Sequence, residues 1–346
     1  MRAITVIPGQ KNSLRLDQVP EPSSDNAILV KALALGICGT DLEIVSGQYG
    51  WAPPHHERLI IGHESLGRVE RAPADSGFNP GDLVVGVVRR PDPVPCFACA
   101  HNQWDMCRNG KYTERGIKQR DGYGAELYAV EPDFLLKLDP GLGLNGVLLE
   151  PTSVVAKAWE QVERIGHRAE WAPRQVLVTG AGPVGLLAAL LSVQRGLETH
   201  VLDRVTDGPK PGIVKQLGGI YHIGAIADLG FAPEIAIECT GASQLVLDAM
   251  EHCAADGIVC LAGVSSGGRN LSIDLGALNR TMVLENSVVF GTVNAAMRHY
   301  EQAEKALKAA DPNWLGQLIS RREPVDKFNH AFVRHPGDIK VIVHFE

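Results

Sequence analysis

Three sets of residues in this sequence could do chemistry. Cys38, His63, Glu64 and Glu150 offer a thiol, an imidazole and carboxylates, and donors of these types with one position left open make a catalytic zinc site. Their spacing does not bring them together by itself, and a lone cysteine is more often a small buried hydrophobe. The second set is Cys96, Cys99 and Cys107, inside a long polar stretch from Arg89 to Gly122. A loop of that length within a domain needs a reason, and a metal staple is one. The third set is Gly180-Ala181-Gly182-Pro183-Val184-Gly185, which matches G-x-G-x-x-G, with Asp203 and Arg204 downstream.

Each set needs elements to position it. Gln175 to Thr179 reads as a buried strand, and the glycine turn after it opens an apolar helix. Thr199 to Asp203 reads as a second strand ending on the acid. Strand, glycine turn, helix and acid together are the dinucleotide fingerprint. The glycines allow a tight turn and close approach of a pyrophosphate, and the helix N-terminus supplies N–H groups and a favourable dipole. Asp203 would accept hydrogen bonds from the adenosine ribose, which favours NAD; Arg204 beside it leaves NADP open. Glu234 to Glu238 and Gly257 to Leu261 read as further strands. Strands alternating with helices mean a parallel sheet. The first 150 residues or so differ: short apolar runs such as Ala27 to Ala34 and Leu83 to Val88 alternate with Gly/Pro turns, which suggests a barrel or sandwich. Glu150 to Val162 has helical spacing. The last fifty or so residues read as one polar helix, Arg298 to Ala309, and a strand, Ile339 to Val343.

Composition narrows the function classes. A chain of 346 residues with 45% hydrophobic and 21% charged residues is a folded protein of about two domains. A net charge of −7, from 33 basic and 40 acidic residues, argues against a nucleic-acid partner, because phosphates need clustered Lys and Arg. No apolar run reaches the ~18 residues of a membrane span, and no targeting segment is read at Met1 to Gly9, so a cytoplasmic location is expected. Seven cysteines, an odd number, argue against a disulfide framework. Cys239, Cys253 and Cys260 lie in apolar segments and read as core.

Cys38-Gly39-Thr40-Asp41, Gly62-His63-Glu64-x-x-Gly67 and the glycine turn stand in the order and spacing of the zinc-dependent medium-chain dehydrogenases. The sequence resembles that family from end to end. Within it the chain is similar to the glucose 1-dehydrogenase group in Val88-Arg89-Arg90-Pro91, Asp105-Met106-Cys107, Tyr112 to Ile117, Glu150-Pro151 and Gly291-Thr292-Val293-Asn294.

The resemblance implies an α/β chain. A GroES-like β-barrel catalytic domain would comprise 1–155 and 297–346, with a doubly wound parallel-sheet Rossmann domain, 156–296, inserted between and the active site in the cleft. Cys38, His63, Glu64 and Glu150 would hold the catalytic zinc, and Thr40 would begin the proton relay. Glu114, Glu150 and Asn294 would bind the sugar. Gly180, Gly182, Pro183, Val184, Gly185, Asp203, Arg204, Thr240, Gly263, Val264, Val293 and Asn294 would line the cofactor. Cys96, Cys99 and Cys107 match the last three ligands of the structural-zinc lobe. Pro93 stands where the family has the first cysteine, so Asp92 or His101 would supply the fourth ligand, or the lobe is metal-free. The expected reaction is transfer of a hydride from the anomeric hydroxyl of an aldose, glucose first, to NAD(P), giving the aldonolactone. The rivals are another sugar, polyol or alcohol on the same machinery, and a non-enzymatic nucleotide-binding protein. A homodimer or homotetramer joined through Rossmann edge strands, around Asn286 to Val293, is also implied.

Overall fold

In the computed structural model, which describes residues 1–23, 25–265 and 270–345, the chain forms two compact units. One comprises Met1–Ser153 with Asn294–Glu346, the other Val154–Val293. The fold is the α/β class expected: a β-rich unit and a doubly wound parallel-sheet unit.

The β-rich unit is built on the strand Ile28–Ile37, whose near-continuous apolar run is buried on both sides. It pairs antiparallel with Glu64–Arg71, Leu127–Val130 and the C-terminal strand Lys340–His344. Leu83–Gly86 and Leu135–Lys137 extend the sheet on one side and Ile319–Pro324 on the other. A smaller sheet orders Arg15–Gln18, Arg2–Val6 and Leu59–Ile60. Ile4, Val6, Val30, Leu35, Ile61, Val84 and Val343 meet in a common core. The stretch 89–122, expected as one long loop, is broken by a further sheet of Arg89–Arg90, Thr113–Arg115 and Gln119–Arg120. Its turn is set by Gly116, at φ +71°, where a Cβ would lie 2.4 Å from the Gly62 carbonyl oxygen. The single helix expected over Arg298 to Ala309 is Met297–Lys308, and the C-terminal part holds more: Pro312–Leu318 and Phe328–Ala331 follow. Asp311 caps the former on the Asn313 N–H, with Pro312 at its first position, a start signal.

The second unit is a sheet of parallel strands in the order Ile220–His222, Glu198–Leu202, Gln175–Thr179, Ile235–Glu238, Ile258–Leu261, Val288–Gly291. Gln175–Thr179 comes first in the chain and lies in the interior, so strand order reverses beside it, the arrangement that places ligands at the carboxyl ends of the strands. The helix Pro183–Gln194 is apolar nearly all round because it is buried from Gly185 to Ser192. No helix among the described residues is long and apolar enough to cross a membrane.

Candidate metal and substrate site

Barrel closure gathers Cys38, His63 and Glu64 of the first set. Cys38 ends the strand Ile28–Ile37 and caps the short helix Gly39–Val45. The Thr40 N–H points at its Sγ, at 3.3 Å, and Asp41 Oδ2 accepts from the Cys38 N–H at 2.9 Å. His63 immediately precedes the strand Glu64–Arg71, which pairs with Ile28–Ile37 through Glu64 opposite Gly36. Gly36 is required there, since a Cβ would lie 2.9 Å from the Glu64 Cβ. The result places Cys38 Sγ 3.1 Å from His63 Nε2, and donor atoms of Cys38, His63 and Glu64 all lie within 4.8 Å of one another.

Behind these donors stand two residues that sequence reasoning did not assign. Asp41 Oδ1, fully buried, faces His63 Nδ1 at 3.3 Å. A carboxylate behind a ligating imidazole fixes its tautomer and leaves Nε2 for a metal. Lys340, from the C-terminal strand, places Nζ 2.7 and 2.5 Å from the two Glu64 oxygens. Both side chains are buried. A lysine inside the apolar run Ile339 to Val343 was the available signal.

The charges shape one another. Burial alone would lower the His63 pKa, but Cys38 and Asp41 reverse this and lift it well above the ordinary histidine value. Burial raises Asp41, yet His63 and the Cys38 N–H hold it below the usual carboxylate range. Burial pushes the Glu150 carboxyl up to about 7, with Glu64 adding to the rise and His63 and Lys340 opposing it. Glu150 sits buried in the first turn of Leu149–Gly166, outside the Cys38–His63–Glu64 group. A thiolate, an imidazole Nε2 and a carboxylate at these separations are donors that zinc takes, so the residues present fit the ion.

Glu114 and Asn294 come together: Asn294 Nδ2 donates to Glu114 Oε1 at 2.9 Å. Arg89, opposite Glu114 in the small sheet, donates to the same oxygen from Nε and Nη2 at 3.1 and 2.9 Å. Its Nη1 reaches the Asp105 carbonyl oxygen, and its guanidinium lies over the Tyr112 ring. These donors all land on Oε1, so a buried carboxylate is held in place while Oε2 receives none of them.

Cys96, Cys99 and Cys107 bring their sulfurs within 4.8 Å of one another. The Arg108 N–H donates to Cys96 Sγ and helps draw that thiol down to about 6, while burial pushes Cys99 up to about 11. The trio fits a metal, but neither suggested fourth ligand joins it. His101 Nδ1 bonds the Phe97 carbonyl oxygen at 2.7 Å, with its ring against Phe97. Asp92 is buried and its Oδ1 accepts from the Val94 N–H.

In the second unit, Gly180 has φ +88°, and a Cβ on Gly185 would lie 1.7 Å from the Gly180 carbonyl oxygen. At Gly182, which caps the helix Pro183–Gln194, a Cβ would meet nothing within 4 Å. The tight turn and the open space before a helix N-terminus fit a dinucleotide pyrophosphate. Asp203 is more occupied than expected. Oδ2 accepts from the Ala181 N–H at 2.7 Å and from Lys210 Nζ at 3.1 Å, and Oδ1 from the Val205 N–H at 3.0 Å. Burial raises its pKa, but these donors hold it below the usual range. Lys210 is thus another residue the sequence did not single out. Arg204, Val264 and Val293 are exposed. Thr240 and Gly263 are tied to Glu238, whose fully buried carboxylate accepts from the Thr240 and Gly241 N–H groups at 2.8 and 3.0 Å and whose backbone carbonyl accepts from the Gly263 N–H at 2.8 Å. A Cβ on Gly263 would lie 2.2 Å from the Gly241 nitrogen.

Known proteins share this architecture. Residues 24–140 match the Alcohol dehydrogenase GroES-like domain and residues 144–345 the Glucose dehydrogenase C-terminus. The chain is 39% identical over 355 residues to a glucose 1-dehydrogenase of Methanocella arvoryzae, covering 99% of both chains. It is 40% identical over 350 residues to one of Thermoproteus tenax, again covering 99% of both. A solved Haloferax mediterranei glucose dehydrogenase in complex with NADP, Zn and gluconolactone superposes with a TM-score of 0.92 at 29% identity, over 100% of this chain and 99% of that one. With both halves matched and such relatives at full length, the chain belongs to the zinc-dependent medium-chain dehydrogenase family, in its glucose dehydrogenase group.

Proposed function

We propose that this chain is a zinc-dependent aldose dehydrogenase that oxidises the anomeric hydroxyl of an aldose, glucose first, with NAD(P), to the aldonolactone. The observation that carries the reading is the buried group of Cys38, His63 and Glu64 with Asp41 and Lys340 behind it. The full-length likeness to glucose 1-dehydrogenases supports the sugar, and the Haloferax complex supports the ligand set.

Zinc, when bound, supplies a Lewis acid for the substrate oxygen, and the nicotinamide supplies the hydride acceptor. Cys38, His63 and Glu64 would hold the metal, with Glu150 beside them. Asp41 keeps His63 in the tautomer that presents Nε2. Glu114 accepts sugar hydroxyls on Oε2, held still by Arg89 and Asn294 on Oε1. A carboxylate suits a polyhydroxy ligand because it accepts from several donors. Thr40 would begin the proton relay, its Oγ1 accepting the substrate hydroxyl proton as its own proton passes on toward solvent. Gly180, Gly182, Pro183, Val184 and Gly185 receive the pyrophosphate; Thr240, Gly263, Val264, Val293 and Asn294 complete the cofactor's surroundings. Cys96, Cys99 and Cys107 would hold a structural zinc. The edge strand Val288–Gly291, partly exposed along its length, would join copies into a homodimer or homotetramer.

The test is formation of reduced nicotinamide from NAD or NADP with glucose, galactose, xylose, sorbitol and simple alcohols, with and without a zinc chelator. Aldose-dependent, chelator-sensitive turnover is expected. Turnover of alcohols but no aldose would overturn the sugar assignment, and cofactor binding without any turnover would overturn the enzyme reading.

A further inference from the structure

We propose that Trp51 and Tyr49 form an aromatic shelf on which the ring of the aldose stacks while its hydroxyl edge meets Glu114. The proposal rests on the aldose reading above and adds the residues that would distinguish a ring sugar from an open-chain alcohol.

Large aromatic side chains bury most of their surface in folded proteins. Here Tyr49 and Trp51 are 41% and 47% exposed, with ring centroids 5.1 Å apart and planes at 73°. The pair is not on a loose loop. The Trp51 N–H donates to the Ile117 carbonyl oxygen and the Trp51 carbonyl accepts from the Gln119 N–H, both at 2.9 Å. Gly50 between them has φ +97°, and a Cβ there would lie 3.2 Å from Ile44 and 3.6 Å from the Ile117 carbonyl oxygen. The backbone that carries the two rings is therefore held between the helix Gly39–Val45, which begins at Cys38, and the turn after Thr113–Arg115, the strand that carries Glu114.

Glu114 also reaches Tyr49 electrostatically. Burial raises the Tyr49 phenol pKa, and the Glu114 charge raises it further. A third aromatic close by, Tyr112, is already engaged: the Arg89 guanidinium lies 3.7 Å and Lys118 Nζ 4.0 Å from its ring centre. Among the described residues, no cation lies over the Tyr49 or Trp51 ring.

The chemistry of a ring sugar matches this arrangement. A pyranose carries hydroxyls around its rim and clusters C–H bonds on its faces. Those faces are weakly electropositive, and an aromatic face is electron-rich. A carboxylate for the rim beside an exposed aromatic pair for a face therefore recognises a closed aldose. A small open-chain alcohol has hydroxyls for Glu114 and the metal but no face for the shelf.

The test compares the unaltered holoenzyme with Trp51→Leu, Tyr49→Leu and Trp51→Phe at saturating cofactor, on glucose and on 1,2-propanediol. Trp51→Leu is expected to raise KM for glucose roughly three- to tenfold, the size of one aromatic contact, with kcat changed by no more than about twofold. The diol's kcat/KM should stay unchanged, Tyr49→Leu should show a smaller rise for glucose alone, and Trp51→Phe should recover most of the loss. Gluconolactone added without cofactor should change the tryptophan fluorescence of the unaltered protein and not of Trp51→Leu. An unchanged glucose KM in Trp51→Leu, or an equal loss on glucose and the diol, overturns the shelf while leaving the aldose reading in place. No aldose turnover by the unaltered enzyme overturns both.

Discussion

Replacing Lys340 by Met should destabilise the metal-free β-rich unit far more than replacing both members of its ion pair. Lys340 and Glu64 are 1% and 2% exposed, and one ammonium sits within 2.7 Å of both carboxylate oxygens. Burial would lower the Lys340 pKa, but the Glu64 charge, with Cys38 adding to it, lifts it above the ordinary lysine value. Truncating one partner leaves the other charge buried without compensation, which costs about 3–5 kcal/mol. At about 2–4 °C per kcal/mol for a body of this size, the melting transition should fall by roughly 6–20 °C. Glu64→Leu alone should cost a similar amount. The double variant should lose much less than the sum, since a buried pair exchanged for apolar groups of similar volume is often neutral. The assay is urea and thermal unfolding of the chelated protein, because a bound divalent cation would itself offset the Glu64 charge. A Lys340→Met cost below about 1 kcal/mol, or strict additivity in the double variant, would refute the reasoning.

Other consequences can be checked separately. Gly182→Ala should leave folding intact, since a Cβ there meets nothing within 4 Å, yet weaken cofactor binding at least about tenfold by intruding on the pyrophosphate; Gly185→Ala should lose both stability and binding, and equal behaviour of the two by calorimetry would contradict this. Lys210→Ala removes the cation beside Asp203 and should raise the KM for NADP about tenfold or more, the worth of one charge-assisted hydrogen bond, while leaving NAD little affected; an unchanged NADP/NAD ratio would show that Lys210 does not read the ribose phosphate. Glu131 is buried enough to push its pKa up, but Arg90 and Arg120 more than offset this and hold it at about 2. Its folded pKa is depressed, so its stabilisation is fully present above the unfolded carboxyl value and is lost as pH falls from there toward 2. Acid unfolding of Glu131→Gln should therefore show a shallower pH dependence in that window, and an identical profile would count against the linkage.

The glycine turn was legible because its logic is local: strand, turn and helix adjoin in sequence, and Gly185 packs on Gly180 within the same turn. The metal donors were not legible in the same way. Cys38 and His63 stand 25 positions apart and meet only because two strands pair in one register, so likeness to a family, not spacing, connected them. Lys340 lies 276 positions from Glu64, and a single lysine in an apolar strand says that it is paired without saying with what. Asp203 shows the opposite limit. Its position after the second strand was readable, but its occupation by the Ala181 N–H and Lys210 depends on side-chain directions that no local pattern encodes. The segment 89–122 read as a loop because its strands are two or three residues long, too short for any alternation to register.

The β-rich unit is discontinuous along the chain, whereas the parallel-sheet unit is a single run, Val154–Val293. On the ribosome the two cannot mature alike. Synthesis proceeds at about 5–20 residues per second and domains tend to fold as they emerge, so the contiguous unit can complete while the other waits. The strand Lys340–His344 must slot between Ile28–Ile37 and Ile319–Pro324, and it delivers Lys340 to Glu64. Until then the barrel has an open edge and a carboxylate without its counter-charge. The order of translation is thereby written into the site: a nascent chain can complete the ion pair behind its metal donors only once Lys340 has been made.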